Sequence, residues 1–332
     1  MRAWLSHAPG GPETLTLDEI ETPPPGDDEV LIAVHACGLN FPDLLMLANS
    51  YQVGAARPFA PGSETAGVVL AAGCAVKGFR TGDRVAGLSD TGGLAETAAI
   101  QSRHLFHLPP SVSFETAAAT LFTYGTAFYS LRCRGQIEVG SQLLVLGAGG
   151  AIGIAMTEIG RAFGAEVTAA ASDLTKLALA SAKGATRLIL YPRDLAPDSR
   201  ATFVQALREA SGRTGFDLVA DPVGGDYSLA AIEALAWNGR YLIIGFAAGI
   251  PRMPADLLVR QSSTLVGVDW YQYGLRDPAG RAEDVEQLFD MVATGALNPT
   301  PSEVLPFKSA PEGLARIARR AAGGKLVVSI AG

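Results

Sequence analysis

Residues 143–153 read LLVLGAGGAIG, four apolar residues followed by a run rich in glycine. The apolar run predicts a buried strand, and the residues after it predict a helix with one apolar face as far as Phe163. Glycines 147, 150 and 153 suit a tight turn, a close approach of backbone to phosphate, and close packing of the helix on the strand. The helix N-terminus offers unpaired N–H groups and a partial positive charge to an anion. We therefore predict that a dinucleotide pyrophosphate binds at Gly147, Ala148, Gly150, Ala151 and Ile152.

Further β-like runs follow this turn and are separated by helical segments. Residues 166–171, 187–191, 217–221 and 239–246 are predicted as the second to fifth strands. Strands that alternate with helices imply right-handed crossovers and a parallel sheet. A glycine-rich run by itself also fits a plain structural turn. In this context it favours a doubly wound, Rossmann-type nucleotide-binding domain.

The composition limits the classes of function. The chain has 332 residues with 48% hydrophobic and 18% charged residues, which is enough for two globular domains with large cores. A net charge of −7 without a basic stripe argues against a nucleic-acid partner. No apolar run has the length of a membrane span and no signal peptide is recognisable, so we expect a cytoplasmic protein without a membrane partner. The scattered Cys37, Cys74 and Cys133 indicate reduced thiols.

The two ends of the chain differ from its middle. Short β-like runs separated by turn clusters dominate the first ~120 residues and predict a barrel-like β domain. After a sixth β run at 264–269, two helices and a final strand at 326–330 are predicted, and this tail is expected to fold back onto the first domain. The predicted strands of the first domain are 15–20, 29–37, 64–70, 83–87 and 95–100.

The end of the second predicted strand bears on the cofactor. NAD sites normally place a carboxylate there, and this chain has Ala171. Ser172 and Lys176 on the next helix, with Tyr191 at the end of the third strand, suit a 2′-phosphate. Asp173 is the objection, because its charge would lie near that phosphate; we interpret it as an acidic residue that complements a helix N-terminus. We therefore predict NADPH as the cofactor.

Short motifs along almost the whole chain form a family pattern. They are GLNFPD at 38–43, YQV at 51–53, PFAPGSETAGVV at 58–69, TGDRV at 81–85, YGTA at 124–127, DPVGG at 221–225, GF at 245–246 and GK at 324–325, with the glycine-rich loop. In these motifs the chain resembles the medium-chain dehydrogenase/reductase superfamily, and within it the zinc-free quinone oxidoreductases related to zeta-crystallin. The resemblance implies an α/β fold with a GroES-like β-barrel catalytic domain at 1–122 and 270–332. It implies a Rossmann domain with a doubly wound parallel sheet at 123–269.

Two positions decide between the zinc and zinc-free branches. Zinc alcohol dehydrogenases place Cys where this chain has Asn40, and His before Glu where it has Ser63 and Glu64. Neither Asn nor Ser is a usual zinc ligand. We therefore predict no metal site.

The resemblance also implies residues of an active site. Asn40 would lie near the nicotinamide or the reacting carbonyl, with Asp43 beside it as a hydrogen-bonding partner. Tyr51 would line the substrate site and is one candidate source of a proton, solvent being the other. Thr126 would contact the nicotinamide end of the cofactor, and Lys325 would approach the cofactor from the returning tail. The residues that would border the nicotinamide ribose and amide are Val223, Gly245, Phe246, Asp269 and Trp270. For the two aromatic residues among them, simple packing is the alternative role.

A metal-free site restricts the acceptor. Without a metal to polarise a carbonyl, a quinone or a conjugated enone is expected, because delocalisation spreads the charge that hydride transfer creates. We expect direct hydride transfer from C4 of NADPH to such a small molecule, in a protein that forms a homodimer by similarity. Two alternatives stay open: an enoyl-thioester or haloacrylate-type double-bond reductase, and a non-catalytic NADPH-binding protein.

Overall fold

The computed structural model describes residues 1–51, 54–192, 195, 197–212 and 215–330. The chain divides into two compact units. One unit contains Met1–Phe122 together with Val285–Gly332, and the other contains Thr123–Asp284. We describe each unit by itself.

The first part of the chain is built mainly from strands. Its elements are β1 (Arg2–Ser6), β2 (Leu15–Glu19), β3 (Glu29–Gly38), α1 (Phe41–Leu47), β4 (Glu64–Ala72), β5 (Arg84–Leu88), β6 (Thr97–Gln101), β7 (Leu105–His107) and α2 (Phe114–Ala117), with 3₁₀ turns at Pro12–Thr14 and Ser102–His104.

Strands and helices alternate in the second unit. Its elements are α3 (Leu121–Phe128, which begins just before the unit), a π-helical segment (Tyr129–Arg134), β8 (Gln142–Leu146), α4 (Ala151–Ala162), β9 (Glu166–Ala171), α5 (Leu174–Ala182), β10 (Arg187–Leu190), α6 (Pro197–Ala210), β11 (Phe216–Asp221), α7 (Gly225–Glu233), β12 (Leu235–Ile243), α8 (Ala255–Gln261), β13 (Thr264–Gly267) and α9 (Trp270–Arg276).

The last part of the chain returns to the first unit. Its elements are α10 (Pro278–Ala293, whose first residues belong to the second unit), β14 (Glu303–Pro306), a 3₁₀ turn at Phe307–Ser309, α11 (Ala310–Ala318) and β15 (Leu326–Ser329). In β15, Val327 pairs with Gly38 of β3 in an antiparallel register. The C-terminal strand β15 therefore belongs to the same sheet as β3.

The sheet of the first unit has the strand order β14-β15-β3-β4-β5-β7, and β6 also pairs with β3. Every pair is antiparallel except β14 with β15. Its core includes the fully buried side chains of Val30, Ile32 and Val69. A separate two-stranded sheet contains β1 and β2.

The second unit contains a six-stranded parallel sheet with the order β10-β9-β8-β11-β12-β13. Every residue of β8 is buried, as expected for a strand covered on both faces. On α4, Ala155, Met156 and Ile159 are completely buried, which is the apolar face that the sequence predicts. The α/β fold class predicted from the sequence is confirmed.

The second unit extends to Asp284, whereas the sequence prediction ended the nucleotide-binding domain at residue 269. Contacts within the unit explain the difference. The rings of Tyr129 and Tyr273 stack with their centroids 4.4 Å apart, and the guanidinium of Arg134 donates to the carbonyl of Gly267. Helix α9 therefore packs on the π-helical segment of the same unit. None of the described helices combines the length and the hydropathy needed to cross a bilayer.

A glycine in β4 tests the packing of the first sheet. A Cβ at Gly67 would lie 1.9 Å from the carbonyl oxygen of Ala33 on β3. Because backbone cannot give way as a side chain does, Gly67→Ala should lower the free energy of unfolding by about 3 kcal/mol. Denaturant unfolding monitored by circular dichroism measures this change. The control is Gly267→Ala in β13, where a Cβ meets nothing within 4 Å. Equal stabilities of the two variants would contradict the close packing of β3 and β4.

Candidate active site

A sharp turn joins β8 to α4 in the second unit. Gly147 has a φ of +60°, and Gly150 is the N-cap of α4 without a side chain to occupy the helix end. A Cβ at Gly153 would lie 2.3 Å from the carbonyl oxygen of Gly147, so the first turn of the helix packs directly on the backbone. Ala148 is buried within the turn, and Ala151 and Ile152 form the start of the helix. The turn therefore presents backbone N–H groups rather than side chains to an anion.

The second glycine of the turn has a role that the sequence did not reveal. A Cβ at Gly149 would lie 2.2 Å from Cβ of Lys176 on α5. The missing side chain lets the stem of Lys176 lie against the turn. This contact gives glycine at position 149 a steric reason.

The carboxyl end of β9 has no acidic side chain. Ala171 is buried there, and Ser172 is half-buried beside it. Asp173 caps α5 by accepting a hydrogen bond from the backbone N–H of Lys176 at 2.9 Å, and its other oxygen lies 3.6 Å from the ammonium of Lys176. This agrees with the helix-capping interpretation of Asp173. Tyr191 is buried next to this strand end, where its backbone N–H donates to the carbonyl of Ala171.

A buried carboxylate fixes the loop after β11. Asp221 accepts hydrogen bonds from the N–H groups of Val223 and Gly224 at 2.8 and 2.9 Å. Its second oxygen accepts from the hydroxyls of Ser228 and Tyr241 at 2.5 and 2.6 Å. Burial and the nearby Asp221 charge raise the pKa of Tyr241 well above its usual value, so this phenol remains a donor. One side chain thus holds the loop through two hydrogen bonds and ties it to α7 and β12 through two more.

This fixed loop lies against the glycine turn. A Cβ at Gly147 would approach a methyl group of Val223 to 2.7 Å. Gly245 lies next to Pro222 of the same loop, and Phe246 exposes 47% of its surface. The structure thus places Val223 and Gly245 close to the predicted pyrophosphate site.

The remaining predicted residues of the second unit follow β13 and begin α9. Asp269 caps α9 by accepting from the N–H of Gln272 at 2.9 Å. Trp270 is buried, and a Cβ at Gly125 would lie 2.4 Å from its ring. Thr126, the next residue along α3, is half-buried. The structure therefore brings Trp270 together with the YGTA motif of α3.

Polar side chains form a buried cluster in the first unit. The ammonium of Lys325 donates to Oδ1 of Asn40 and to Oε2 of Glu64, each at 2.6 Å. The other oxygen of Glu64 accepts from the backbone N–H of Phe122 at 2.8 Å. A Cβ at Gly38 would lie 2.1 Å from a backbone oxygen and 2.6 Å from Glu64. Glycine at this position therefore leaves the space that the ion pair occupies.

Two further ionisable groups adjoin this cluster. Oδ2 of Asp43 accepts from the backbone N–H of Asn40 at 2.8 Å. Burial raises the pKa of Asp43 from 3.8 to about 6, against the lowering effects of the Asn40 N–H and the Lys325 charge. Burial also raises the pKa of the Cys37 thiol well above its usual value, and the charges of Asp43 and Glu64 add to this effect. Cys37 is therefore a protonated, unreactive thiol near neutral pH.

Tyr51 packs against the hydrophobic core of the first unit. It is half-buried and lines a cavity of about 290 Å³ with Met46, Asn49 and residues 54–56. The other two residues of the YQV motif, at positions 52 and 53, are outside the described residues.

A zinc ion does not fit beside Asn40, one of the positions that distinguish the zinc-dependent from the zinc-free enzymes. The amide oxygen of Asn40 and the carboxylate of Glu64 both accept hydrogen bonds from the ammonium of Lys325, and this positive charge would repel a divalent cation. The chemistry of the donor set is also wrong, because an amide is a poor zinc ligand. Within residues 1–330, apart from the short stretches not described, no group of three or more His, Cys, Asp or Glu is arranged to hold a metal.

Comparisons with known proteins agree with this geometry. The model of the alcohol dehydrogenase GroES-like domain matches residues 26–110, and a model described as a zinc-binding dehydrogenase matches residues 191–328. Quinone oxidoreductase-like protein 2 of Rattus norvegicus is 32% identical over 320 residues, which are 96% of this chain and 89% of the relative. The quinone oxidoreductase of Homo sapiens is 31% identical over 272 residues, which are 81% of this chain and 80% of that protein.

Solved structures show the same fold. The quinone oxidoreductase of Escherichia coli in complex with NADPH has a TM-score of 0.89 and 26% identity, with 99% of this chain and 100% of that chain covered. The quinone oxidoreductase of Thermus thermophilus, also solved in complex with NADPH, has a TM-score of 0.79, 32% identity and the same coverage. A GroES-like β unit and a parallel sheet with a glycine turn define the medium-chain dehydrogenases and reductases. Within that superfamily, the chain belongs to the zinc-free quinone oxidoreductase family.

The raised pKa of Asp43 predicts a pH dependence of stability. Because the folded protein holds the Asp43 proton more tightly than the unfolded chain does, the stabilisation is complete below pH 3.8 and is lost as the pH rises through about 6. Relative to Asp43→Asn, the wild type should therefore lose up to about 3 kcal/mol of unfolding free energy between these pH values. Denaturant titrations at several pH values measure the difference. Asp28→Asn changes an exposed carboxylate of the same unit and serves as the control. Parallel pH profiles for wild type and Asp43→Asn would contradict the assignment.

Proposed function

We propose that this protein is an NADPH-dependent oxidoreductase that transfers hydride to a quinone or a conjugated enone. The observation that carries the proposal is the turn at residues 147–153, on which Lys176 packs at Gly149. Membership of the quinone oxidoreductase family supports the reaction class.

The residues of the second unit fit the phosphates of NADPH. The start of α4 offers N–H groups and the positive end of a twelve-residue helix to the pyrophosphate. Ser172 and Lys176 provide a hydroxyl and an ammonium for the 2′-phosphate, and Tyr191 a phenol. Because residue 171 is Ala, the carboxylate that usually binds the ribose of NAD is missing from this position. No negative charge there repels the 2′-phosphate of NADPH. The relatives from Escherichia coli and Thermus thermophilus that were solved with NADPH support this choice of cofactor.

The predicted contacts to the nicotinamide half remain part of the proposal. NADPH, when bound, supplies the hydride. Two residues, Asn40 and Lys325, come from the buried cluster of the first unit, in which Asp43 acts through its hydrogen bond to Asn40. Tyr51 is proposed to line the acceptor site. The contacts proposed in the second unit are Thr126, Val223, Gly245, Phe246, Asp269 and Trp270.

The chemistry of the buried cluster supports a delocalised acceptor. The ammonium of Lys325 is neutralised by Glu64 at 2.6 Å, so it offers little net charge to a developing alkoxide. A quinone or an enone spreads that charge over its own conjugated system. Such acceptors need the protein to orient them and to exclude water from the site more than they need an electrophilic group.

We further propose that the protein is a cytoplasmic homodimer. All three cysteines have free thiols in the structure, which is compatible with a reducing compartment. Strand β13 is the last strand at one edge of the described six-stranded sheet, and a second copy can extend such an edge.

A turnover assay tests the reaction class. NADPH oxidation should be observed with 1,4-benzoquinone and with a conjugated enone, and it should be faster than with an enoyl thioester or a 2-haloacrylate. The absorbance of reduced nicotinamide measures the rate. Faster turnover of the thioester or the haloacrylate would show that the acceptor is a double-bond substrate of that kind and not a quinone or a simple enone. NADPH binding without oxidation by any of the four compounds would indicate a non-catalytic binding protein.

Lys176 tests the choice of cofactor. If its ammonium binds the 2′-phosphate, Lys176→Ala should lose about 1.5–3 kcal/mol of interaction with NADPH, equivalent to a rise in KM of roughly 10- to 100-fold. The KM for NADH, which lacks this phosphate, should change little. Arg260→Ala, which removes an exposed cation from the same unit, should leave both values unchanged. Equal changes for NADPH and NADH in Lys176→Ala would contradict the assignment.

A further inference from the structure

The end of α1 and the loop after it line a cavity of about 290 Å³ in the first unit. Its described lining consists of Met46, Asn49, Tyr51 and residues 54–56, and the last three are a glycine and two alanines. The volume lies close to the lower end of the range of about 300–1,000 Å³ that small-molecule sites occupy. The polar side-chain groups of this lining are the amide of Asn49 and the phenol of Tyr51. The cavity therefore suits a small molecule with few polar atoms.

Arg57 follows the last lining residue and connects the loop to the end of α1. Its Nη1 donates to Oδ1 of Asn49 at 2.6 Å, and its Nη2 donates to the carbonyl of Leu47 at 2.8 Å. Its Nε lies 3.2 Å from Oγ of Ser6 on β1, and the guanidinium carbon lies 5.1 Å from the centre of the Phe59 ring. All three nitrogens of the planar guanidinium are thus engaged, which fixes its position.

This contact determines the orientation of the Asn49 amide. A guanidinium only donates hydrogen bonds, so the amide atom beside it is the oxygen and not the nitrogen. Among the described residues, none accepts a hydrogen bond from the amide nitrogen of Asn49. The backbone of Asn49 is left-handed, with a φ of +53°, a conformation that Asn tolerates better than most residues. Asn49 therefore has two N–H hydrogens left to donate to a ligand in the cavity.

We infer that Asn49 donates a hydrogen bond to the carbonyl oxygen of the acceptor and that Arg57 is the positioning residue that orients its amide. The inference rests on the proposed function and deepens it, because it names the group of the acceptor that is recognised. Addition of hydride from NADPH to a quinone or an enone moves an electron pair onto this oxygen, which then takes a proton from water. A donor at this oxygen binds more strongly as the negative charge develops. A neutral amide can supply this stabilisation without a metal.

The variant Asn49→Asp is the first test. It keeps the shape of the side chain and an oxygen for Arg57, but it replaces both N–H groups with an acceptor. The kcat/KM for 1,4-benzoquinone should fall about tenfold or more, the effect of one lost hydrogen bond and added repulsion. The Kd of NADPH, measured by fluorescence titration, should stay within about twofold. An unchanged kcat/KM would overturn the inference.

A matched control is available in the second unit. Asn238 is exposed and has the same left-handed backbone, with a φ of +62°. Asn238→Asp therefore makes the same chemical change at the same kind of backbone position. Both kcat/KM for benzoquinone and the Kd of NADPH should keep their wild-type values in this variant.

A second substitution separates the lost donor from the added charge. Asn49→Gly accepts the left-handed backbone without strain and introduces no charge. It should also lower kcat/KM for benzoquinone about tenfold, because it removes the same donor. A fall in Asn49→Asp but not in Asn49→Gly would show that repulsion alone caused the effect and would overturn the inference.

Coupling between the two side chains tests the role of Arg57. Arg57→Met keeps an apolar stem and frees the amide of Asn49 to rotate, so kcat/KM for benzoquinone should fall several-fold. If Arg57 acts through Asn49, adding Arg57→Met to Asn49→Gly should lower kcat/KM no further. Fold-changes that multiply would overturn the positioning role. If Arg57→Met does not fold, the two Asn49 variants still decide whether the amide donates to the acceptor.

The same assays distinguish this inference from the proposed function. A wild-type protein that oxidises NADPH with no quinone or enone would refute the proposed function and with it the inference. Turnover by the wild type with equal kcat/KM in both Asn49 variants would refute the inference alone.

Discussion

The close contact between the start of α4 and the end of β8 is the constraint on which the nucleotide-binding unit depends. The backbone of Gly147 and the position of Gly153 approach so closely that an added methyl group would lie 2.3 Å from a carbonyl oxygen. Three glycines meet this constraint in different ways, since one adopts a positive φ, one caps the helix without a side chain, and one permits the contact. Because the helix begins there, its unpaired N–H groups and its positive end are directed to the carboxyl edge of the sheet. Lys176 and Val223 pack on the same turn, so its geometry also locates two of the predicted cofactor contacts.

In the first unit, the main energetic constraint is the burial of charged side chains. Removing Lys325 and Glu64 from water is costly, and the short ion pair offsets this cost only because the remaining polar atoms also find partners. Asn40 and the backbone of Phe122 supply those partners. Asp43 lacks a direct contact with a cation among the described residues, and burial therefore dominates its pKa. The result is a buried cluster in which the ammonium of Lys325 lies between the amide of Asn40 and the carboxylate of Glu64.

Local sequence patterns predicted most of the fold and part of the candidate site. The strand, turn and helix at 143–163 were identifiable because apolar periodicity and glycine spacing act over neighbouring residues. Strands β1, β7 and β14 were not predicted from the sequence. The compact second unit includes α9, whose Tyr273 stacks on Tyr129, and no local pattern encodes such a contact. The ion pair between Glu64 and Lys325 joins residues 261 positions apart, and no local pattern encodes such a contact. The resemblance named both residues, but only the structure shows that they bind each other.

Amide hydrogen exchange with and without NADPH, resolved at residues 147–153, tests the central claim most directly. The claim is that backbone N–H groups of the turn between β8 and α4 bind the pyrophosphate of the cofactor. Exchange at these amides should slow markedly on addition of NADPH, while exchange at the opposite end of α4, near Ala162, should change little. Unchanged exchange at 147–153 at a saturating concentration of NADPH would contradict the account.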